Sequence, residues 1–242
     1  DVYKRQQLEK VLNKVVHDSI KMLVVGPVAL LITGFLAFIV IGPIALILGT
    51  GITNGVTYVF EHAGWLGGAL YGLLYAPLVI TGLHHMFLAV DFQLMGSSLG
   101  GTYLWPILAI SNICQGSAAF GAWIVYKRKK MVKEEGLAFT SGISGVLGVT
   151  EPALFGVNLP LKYPFIAAIL TSSVLGAFIG AHKVLGSVGV GGWPAFISIK
   201  SEFWWIYLPA TLIATVVPAV LTIVFSRFSN QKAKKMVDTS NS

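Results

Sequence analysis

Apolar stretches close to twenty residues long recur along the chain. The strongest cover residues 22–43, 65–83, 103–126, 164–181 and 203–226. A helix needs about twenty apolar residues to cross the ~30 Å hydrocarbon core of a bilayer. Each stretch therefore predicts a membrane-spanning helix, and together they predict an all-α, multi-span membrane protein.

Other apolar stretches are interrupted by glycine, proline and polar residues. Residues 44–60 predict a weak span or an interfacial segment. Residues 137–161 and 185–199 are rich in glycine, which disfavours a straight helix. Interrupted hydrophobic segments are typical of transporter binding sites. We interpret the two later segments as re-entrant or irregular, and ordinary kinked spans are the alternative.

The charge distribution predicts an orientation. The chain is 55% hydrophobic and 11% charged, with a formal net charge of +7. Basic residues concentrate in residues 4–21, 127–133 and 227–235, beside apolar stretches. The positive-inside rule makes these segments cytoplasmic, and residues 227–242 a cytoplasmic C-terminal tail. If the first two basic segments are both cytoplasmic, the chain between them crosses the membrane an even number of times. Either residues 44–60 then cross the membrane, or another predicted span is only partial. No soluble domain remains for a nucleic-acid groove, so we expect no nucleic-acid partner.

The first residues are set apart from the rest. Residues 1–6, DVYKRQ, resemble the translation of an adapter used in sequencing libraries, and the chain has no initiator methionine. We exclude them from fold reasoning. We expect residues 7–226 to form part of the membrane domain of a longer protein.

The most informative polar residue is Glu151, which lies in a glycine-rich apolar stretch. A carboxylate at bilayer depth costs about 2.5–3.5 kcal/mol and usually marks a substrate or ion path. Pro152 disfavours helix at Glu151. Non-helical backbone at that depth persists only against protein or a water-filled cavity. The segment therefore predicts a polar ligand site that contains Glu151.

A second polar site lies at residues 81–93, which contain His84, His85 and Asp91. In a helix, His84 and Asp91 share one face with Leu88 between them. Such a face could bind sugar hydroxyls or relay protons. A structural histidine–aspartate pair at a helix end is the alternative. We expect no metal, because the usual ligand spacing and cysteine partners are missing.

Three amides lie near these sites. Asn112 and Gln115 fall inside the predicted span 103–126, and Asn158 follows the Glu151 stretch. Within a span, Asn112 and Gln115 either line a cavity or bond neighbouring helices, and helix packing is the default.

The sequence contains no machinery for activating a phosphate by itself. A phosphate-binding loop, a dinucleotide fingerprint and a zinc-protease helix are all missing from the sequence. Any group transfer would therefore take its donor from elsewhere, and no cofactor is expected. Cys114 is the single cysteine, which excludes an internal disulfide.

These motifs resemble the membrane enzyme IIC domains of the glucose superfamily, in the bacterial phosphoenolpyruvate-dependent sugar phosphotransferase system. Residues 148–156, GVTEPALFG, are similar to the superfamily signature. Residues 81–85, TGLHH, and the motifs LWP and NICQG within residues 104–116 resemble its sucrose and trehalose branch. Residues 189–199, with GVGGWP and ISI, are most similar to trehalose-specific members. The resemblance covers residues 8–227.

The resemblance implies an all-helical homodimer in the bacterial cytoplasmic membrane, with a disaccharide site built by two re-entrant hairpins. Glu151 would be the catalytic residue, holding the hydroxyl that becomes phosphorylated, with a histidine of the adjacent pair nearby. The donor would be a phosphocysteine on a separate enzyme IIB domain, supplied by a soluble enzyme IIA-type carrier, and the product trehalose 6-phosphate. The candidate substrate contacts are polar residues of the two sites and the amides beside them: His84, His85, Asp91, Gln115, Glu151 and Asn158.

The chain departs from the family pattern. A complete membrane domain has earlier spans, and an enzyme IIB domain is absent from this sequence. Cys114 lies in a predicted span without the basic residues of the IIB phosphorylation motif, so it is not the phosphate carrier. The alternatives are sucrose as the substrate, a proton-coupled secondary transporter that uses Glu151, His84 and Asp91, and a sugar sensor with the same site.

Overall fold

The computed structural model describes residues 21–240 together with Gln6 and Lys10. The helices of ten residues or more are α1 Lys21–Leu36, α2 Gly42–Thr81, α3 Phe87–Gly96, α4 Leu104–Arg128, α5 Val132–Val146, α6 Tyr163–Ala181 and α7 Trp204–Ser240. Across this described part, β structure is limited to isolated bridges that join Gly186 to Thr102 and to Ile199. The predicted all-α class is confirmed.

Two predicted segments lie at the ends of the chain. The predicted adapter, residues 1–6, lies outside the described residues except for Gln6, and so does most of the basic segment 4–21. At the other end, α7 continues to Ser240. The tail predicted at residues 227–242 is therefore helical up to that residue.

The chain divides into two compact units, residues 1–52 and 53–242. The described part of the first unit contains α1, a π-helical turn at Ala37–Ile41 and the start of α2. Large apolar side chains of α1 face outward, with Leu31 70% and Phe35 69% exposed. Extensive exposed apolar surface is characteristic of a protein that contacts lipid.

Helix α2 covers two segments, residues 44–60 and 65–83, that the sequence predicted separately, apart from residues 82–83. It has 40 residues, and Ala63 departs from helical geometry with φ −142° and ψ 55°. Forty residues are about twice the number that one helical crossing of the membrane needs. Residues 44–60, predicted as a weak span or interfacial segment, precede the break, and the predicted span 65–83 follows it. Each part has about the length of one span.

The other predicted spans agree closely with the helices. Residues 103–126 and 164–181 match α4 and α6, and residues 203–226 fall in the apolar part of α7. Residues 22–43 are split between the shorter apolar helix Val24–Leu36 and the π-helical turn after it. The described residues contain helices long and apolar enough to cross a membrane at Gly42–Thr81, Leu104–Arg128, Tyr163–Ala181 and Ser201–Phe228.

α4 lies at the centre of the second unit. It packs against α5, α6 and α7, and its side chains are buried around nearly the whole circumference. A helix that is apolar on all sides is expected in such a position. Small residues allow the close approach: Gly116 contacts the α5 backbone at Gly142 and Gly145, and Gly121 contacts Ala219 of α7.

A seam of small residues joins α2 to α6. Gly64, Gly68 and Gly72 face Gly180, Gly176 and Ser172, and a methyl group added at any of these α2 positions would overlap a carbonyl oxygen of α6. Contacts of this closeness need glycine at the three α2 positions. Small residues at four-residue spacing are the usual device for packing helices inside a membrane.

Both segments predicted as irregular are broken in the structure. In residues 137–161, α5 ends at Val146, and short helical turns follow at Glu151–Ala153, Leu154–Asn158 and Leu159–Leu161. Residues 185–199 contain bends, the bridges of Gly186 and a 3₁₀ turn at Trp193–Ser198. Glycines at positive φ, Gly148 at 104° and Gly192 at 64°, stand at the two breaks. The two segments meet there, because Gly192 lies against the backbone of Val146 and Gly148.

Candidate functional site

The second unit contains a cavity of about 260 Å³ at the place where the two broken segments meet. Helices α2, α3 and α4, the 3₁₀ turn before α3 and both broken segments contribute to its wall. The lining residues are Tyr75, Val79, His84, His85, Leu88, Asp91, Trp105, Leu108, Asn112, Gly148, Thr150, Glu151, Gly189 and Gly191. The wall combines apolar surface with many polar side chains, and the volume is near the lower limit of about 300 Å³ for small-molecule sites.

Glu151 reaches the cavity from the start of a short helical turn. Gly148 reverses the chain at positive φ, and Pro152 stands in the first turn after Glu151. The Glu151 side chain is exposed, whereas its neighbour Thr150 is buried at 6% exposure. A π-helical turn, Leu154–Asn158, follows directly, and such turns occur frequently at functional sites. Glu151 is itself helical, contrary to the expectation from Pro152, because proline is tolerated in the first turn of a helix. The break lies directly before it, where α5 ends at Val146.

His84 and Asp91 line the same cavity, with Leu88 between them. His84 and His85 lie in the 3₁₀ turn Leu83–Met86, which follows Gly82 at φ 75°. The two imidazole centroids are 3.9 Å apart. Asp91, on α3, has 1% exposure, and its Oδ1 accepts a 2.6 Å hydrogen bond from Thr102 Oγ1. His84 and Asp91 therefore line one cavity from two different elements, the 3₁₀ turn and α3, and not from the single helix face that the sequence predicted.

The surroundings shift the acidity of both groups. Burial raises the pKa of Asp91 to about 6, and the hydrogen bond from Thr102 opposes that rise. Burial, and then the neighbouring His85, lower the pKa of His84, and a backbone hydrogen bond at Leu78, followed by Glu151, acts in the opposite direction. His84 Nδ1 is buried and has no partner within the protein. A neutral imidazole with a free ring nitrogen is suited to a hydrogen bond with a polar ligand.

Asn112 connects the wall of α4 to both broken segments. It is 4% exposed, and its Nδ2 donates a 3.3 Å hydrogen bond to the carbonyl of Gly148. The same amide lies so close to Gly191 that a side chain there would overlap it. Helix packing was the default expectation for Asn112, but the structure places it in the cavity wall. Its amide fixes the backbone three residues before Glu151.

Two aromatic residues of the wall were not singled out from the sequence. Tyr75 and Trp105 are 6% and 8% exposed and line the cavity. Trp105 Nε1 donates a 3.4 Å hydrogen bond to the carbonyl of Val190, in the glycine-rich loop. The sequence signal was the LWP motif, which identified a family branch without indicating where the indole lies.

The structure does not bring Gln115 and Asn158 to the cavity. Asn158 Nδ2 donates to Gln115 Oε1 at 2.7 Å and to the Gln115 carbonyl at 2.9 Å. Asn158 is 0% and Gln115 2% exposed. This pair joins α4 to the π-helical turn. We therefore assign it to helix packing instead of sugar binding, in contrast to the sequence-based expectation.

The cavity's titratable residues do not form a metal site. Among the residues that the structure describes, no three histidine, cysteine, aspartate or glutamate side chains converge on a point that could hold an ion. Cys114 is buried in α4 with 0% exposure. The site offers hydrogen-bonding groups and aromatic rings, a combination that recognises polyhydroxylated molecules.

Comparison with known proteins identifies the class. Residues 2–172 match the family model "Phosphotransferase system, EIIC". The chain therefore belongs to the enzyme IIC family of the phosphotransferase system, whose members are multi-pass membrane proteins. The resemblance inferred from the motifs is confirmed. No solved structure matches the chain significantly.

Curated relatives narrow the branch. The chain is 48% identical over 230 residues to the trehalose-specific EIIBC component of Bacillus subtilis (strain 168), covering 95% of this chain and 48% of that protein. It is 44% identical over 198 residues to the sucrose-specific EIIBC component of Staphylococcus xylosus, covering 81% and 41%. With the trehalose-specific EIIBC component of Escherichia coli (strain K12), identity is 40% over 217 residues, covering 89% and 45%. The chain spans about half the length of these relatives.

Proposed function

We propose that this chain supplies the sugar site of a phosphotransferase-system permease, which imports a disaccharide and delivers it phosphorylated. The observation that carries the proposal is the position of Glu151, in one cavity with His84, His85 and Asp91. Trehalose is the proposed substrate, because trehalose-specific relatives cover most of the chain at 48% and 40% identity. Sucrose is the alternative, since sucrose-specific relatives reach 44%.

The proposed chemistry moves a phosphoryl group from sulfur to oxygen. The sugar 6-hydroxyl oxygen attacks the phosphorus of a phosphocysteine, an O–P bond forms, the S–P bond breaks and the cysteine leaves as a thiolate. The hydroxyl proton passes to the Glu151 carboxylate. Phosphoryl transfer depends mainly on positioning and electrostatic stabilisation, so a carboxylate that orients the hydroxyl supplies much of the catalysis.

The rest of the wall has a binding role in this proposal. His84 Nδ1 has no protein partner, and Asp91 has one oxygen bonded to Thr102, so both have capacity for sugar hydroxyls. Trp105 and Tyr75 provide aromatic surface for the apolar C–H faces of the sugar. Asn112 positions the Gly148 carbonyl and hence the turn that carries Glu151.

The proposal includes partners and an orientation. The phosphate donor is a phosphorylated enzyme IIB domain, as the EIIBC names of the relatives suggest, and a soluble enzyme IIA-type carrier supplies that domain. The protein acts as a homodimer in the cytoplasmic membrane. Its basic segments and its C-terminus face the cytoplasm, in keeping with the exposed basic residues 127–130 at the end of α4 and just after it.

The test is sugar phosphorylation by membranes that contain the complete protein, supplied with the soluble phosphotransferase components and phosphoenolpyruvate. Trehalose, sucrose and maltose are compared. We expect phosphoenolpyruvate-dependent formation of trehalose 6-phosphate at a kcat/KM at least about tenfold above that for the other sugars. A preference for sucrose would correct the substrate. A lack of phosphorylation of any sugar by inserted, folded protein would refute the function.

Proton-coupled transport is a second candidate, favoured by Asp91. This carboxylate is buried, and burial raises its pKa to about 6, so it changes charge near neutral pH. Groups of this kind serve as proton relays in transporters. The candidate predicts uptake of unmodified sugar into vesicles without a phosphate donor, driven by an imposed proton gradient and abolished in Asp91→Asn. Uptake that requires phosphoenolpyruvate and ignores the gradient would eliminate it.

A further inference from the structure

A second cavity lies beside the turn that joins α4 to α5. Its volume is about 410 Å³, and it shares no residue with the wall of the sugar cavity. Trp123 of α4 and residues Val132, Glu135, Gly136 and Phe139 of α5 line it. Val132 is 80% and Phe139 41% exposed. The cavity is mainly apolar and lies near the end of a membrane-spanning helix, where a hydrocarbon chain can reach it.

Basic residues lie close to this cavity along the chain, and one of them, Lys127, contacts its wall. The basic residues at the end of α4, in the turn after it and in the first turn of α5 are all exposed: Lys127, Arg128, Lys129, Lys130 and Lys133. The acidic residues on the same stretch are Glu134 and Glu135, so the five cations outnumber them. Four to eight basic residues directly beside a membrane span are characteristic of binding to anionic lipid headgroups.

Trp123 contacts both the apolar wall of this cavity and one of the basic residues. Its Nε1 donates a 3.3 Å hydrogen bond to Glu135 Oε1, and its ring centroid is 5.2 Å from that of Phe139. Lys127 Nζ lies 5.2 Å from the Trp123 ring centroid. The Lys127 ammonium therefore stands at the edge of the apolar wall. The one acidic group of the cavity is engaged by the indole N–H.

We propose that this cavity binds an anionic phospholipid. An acyl chain packs against Trp123, Val132 and Phe139, and the phosphate lies beside Lys127 and Lys133. The exposed apolar wall favours a lipid over a phosphate-bearing protein domain, because hydrocarbon chains are present at the end of a span and an interfacial tryptophan marks that level. This site does not depend on the sugar function proposed above.

The test measures quenching of Trp123 fluorescence in the complete protein, reconstituted in nanodiscs of phosphatidylcholine. Either brominated phosphatidylglycerol or brominated phosphatidylcholine is added in increasing amounts, with the bromine on the acyl chains in both lipids. The fluorescence of Trp123 is obtained as the difference between the protein and its Trp123→Phe variant. We expect phosphatidylglycerol to reach half-maximal quenching at a lipid fraction about tenfold or more below the fraction that phosphatidylcholine needs. The double variant Lys127→Gln/Lys133→Gln should remove this preference, since each lysine contributes about fivefold.

Two comparisons make the result specific. The matched control Lys162→Gln/Arg227→Gln removes exposed cations elsewhere and should keep the preference. Gly136→Leu places a side chain in the cavity, where a Cβ meets no atom within 4 Å, and should reduce quenching by both lipids. Gly51 is also an exposed helical glycine with no atom within 4 Å of an added Cβ, and Gly51→Leu should leave the quenching by both lipids unchanged.

Three outcomes would overturn the proposal. Equal quenching by both brominated lipids in the unsubstituted protein would exclude headgroup recognition. A preference that survives in Lys127→Gln/Lys133→Gln would place the anionic lipid elsewhere. If Lys127→Gln/Lys133→Gln kept the preference for phosphatidylglycerol but slowed phosphate transfer from the phosphorylated IIB domain, the basic residues would instead form a protein-docking surface. Gel filtration in detergent checks that each variant remains folded.

Discussion

Two carboxylates line the cavity proposed to bind the sugar, and their surroundings differ. Asp91 is 1% exposed and is bonded to Thr102, whereas Glu151 is exposed at the start of a helical turn. Asp91 is therefore held in place by the protein, while the exposed Glu151 carboxylate is accessible to an arriving hydroxyl. This difference supports a fixed binding role for Asp91 and a reactive role for Glu151.

Trp105 gives a prediction at the same scale. Trp105→Leu removes the aromatic surface and the hydrogen bond to Val190, and we expect KM for the sugar to rise about tenfold, equivalent to about 1.4 kcal/mol. Trp105→Phe keeps a ring and should raise KM less. Steady-state phosphorylation kinetics provide the measurement, with Trp205→Leu, which alters an 86% exposed tryptophan, as the control. A fall in kcat with unchanged KM would argue against sugar contact.

The sequence identified some residues of this site and not others, for a physical reason. Glu151, His84 and Asp91 were found because charged or titratable groups in apolar sequence need a compensating environment. Buried amides carry the same need, but any neighbouring helix can satisfy it. The sequence therefore could not show that Asn112 belongs to the cavity wall while Gln115 and Asn158 bond each other.

At the scale of elements, the lengths of the apolar stretches predicted where the helices lie. They predicted less well where the helices break and which helices contact one another. α4 and α6 match their predicted spans within a few residues. α4 is apolar on all sides, so periodicity could not indicate which of its neighbours it meets. Residues 44–60 and 65–83 were predicted as separate segments, yet the assigned helix α2 covers both, except for residues 82–83, with a break at Ala63. Glycine content predicted the irregular segments, because glycine lowers helix stability wherever it occurs.

The glycine seam yields a prediction for stability. Gly68→Ala puts a methyl group on the Gly176 carbonyl oxygen, and neither backbone can move aside without separating α2 from α6. We expect the substitution to cost about 1–3 kcal/mol, as overpacking does. Thermal unfolding of the detergent-solubilised complete protein measures this loss.

A control for this prediction lies in the same helix. Gly55→Ala meets no atom within 4 Å, so it should leave the unfolding temperature unchanged or slightly raised. If Gly68→Ala unfolded at the same temperature as Gly55→Ala, the close contact between α2 and α6 would be wrong.

At the scale of the whole molecule, the two broken segments explain where the site lies. Gly192 packs against Val146 and Gly148, and the cavity forms where the segments meet α3 and α4. Broken backbone inside a membrane protein requires a polar or protein-lined environment, which this cavity provides. Composition and span pattern predicted the class of protein and the two broken segments. The meeting of residues 148 and 192 depends on tertiary packing, which no local pattern encodes.

Substitution of Glu151 tests the central claim most directly. In the complete protein, Glu151→Gln keeps the size and a hydrogen-bonding group but removes the negative charge, and Glu202→Gln, outside the cavity wall, is the matched control. Phosphoenolpyruvate-dependent formation of trehalose phosphate is measured together with trehalose binding and membrane insertion. We predict a loss of phosphorylation of about 10²–10⁴-fold with binding retained. Phosphorylation within about twofold of the unsubstituted protein, in inserted and folded protein, would contradict the assigned role of Glu151.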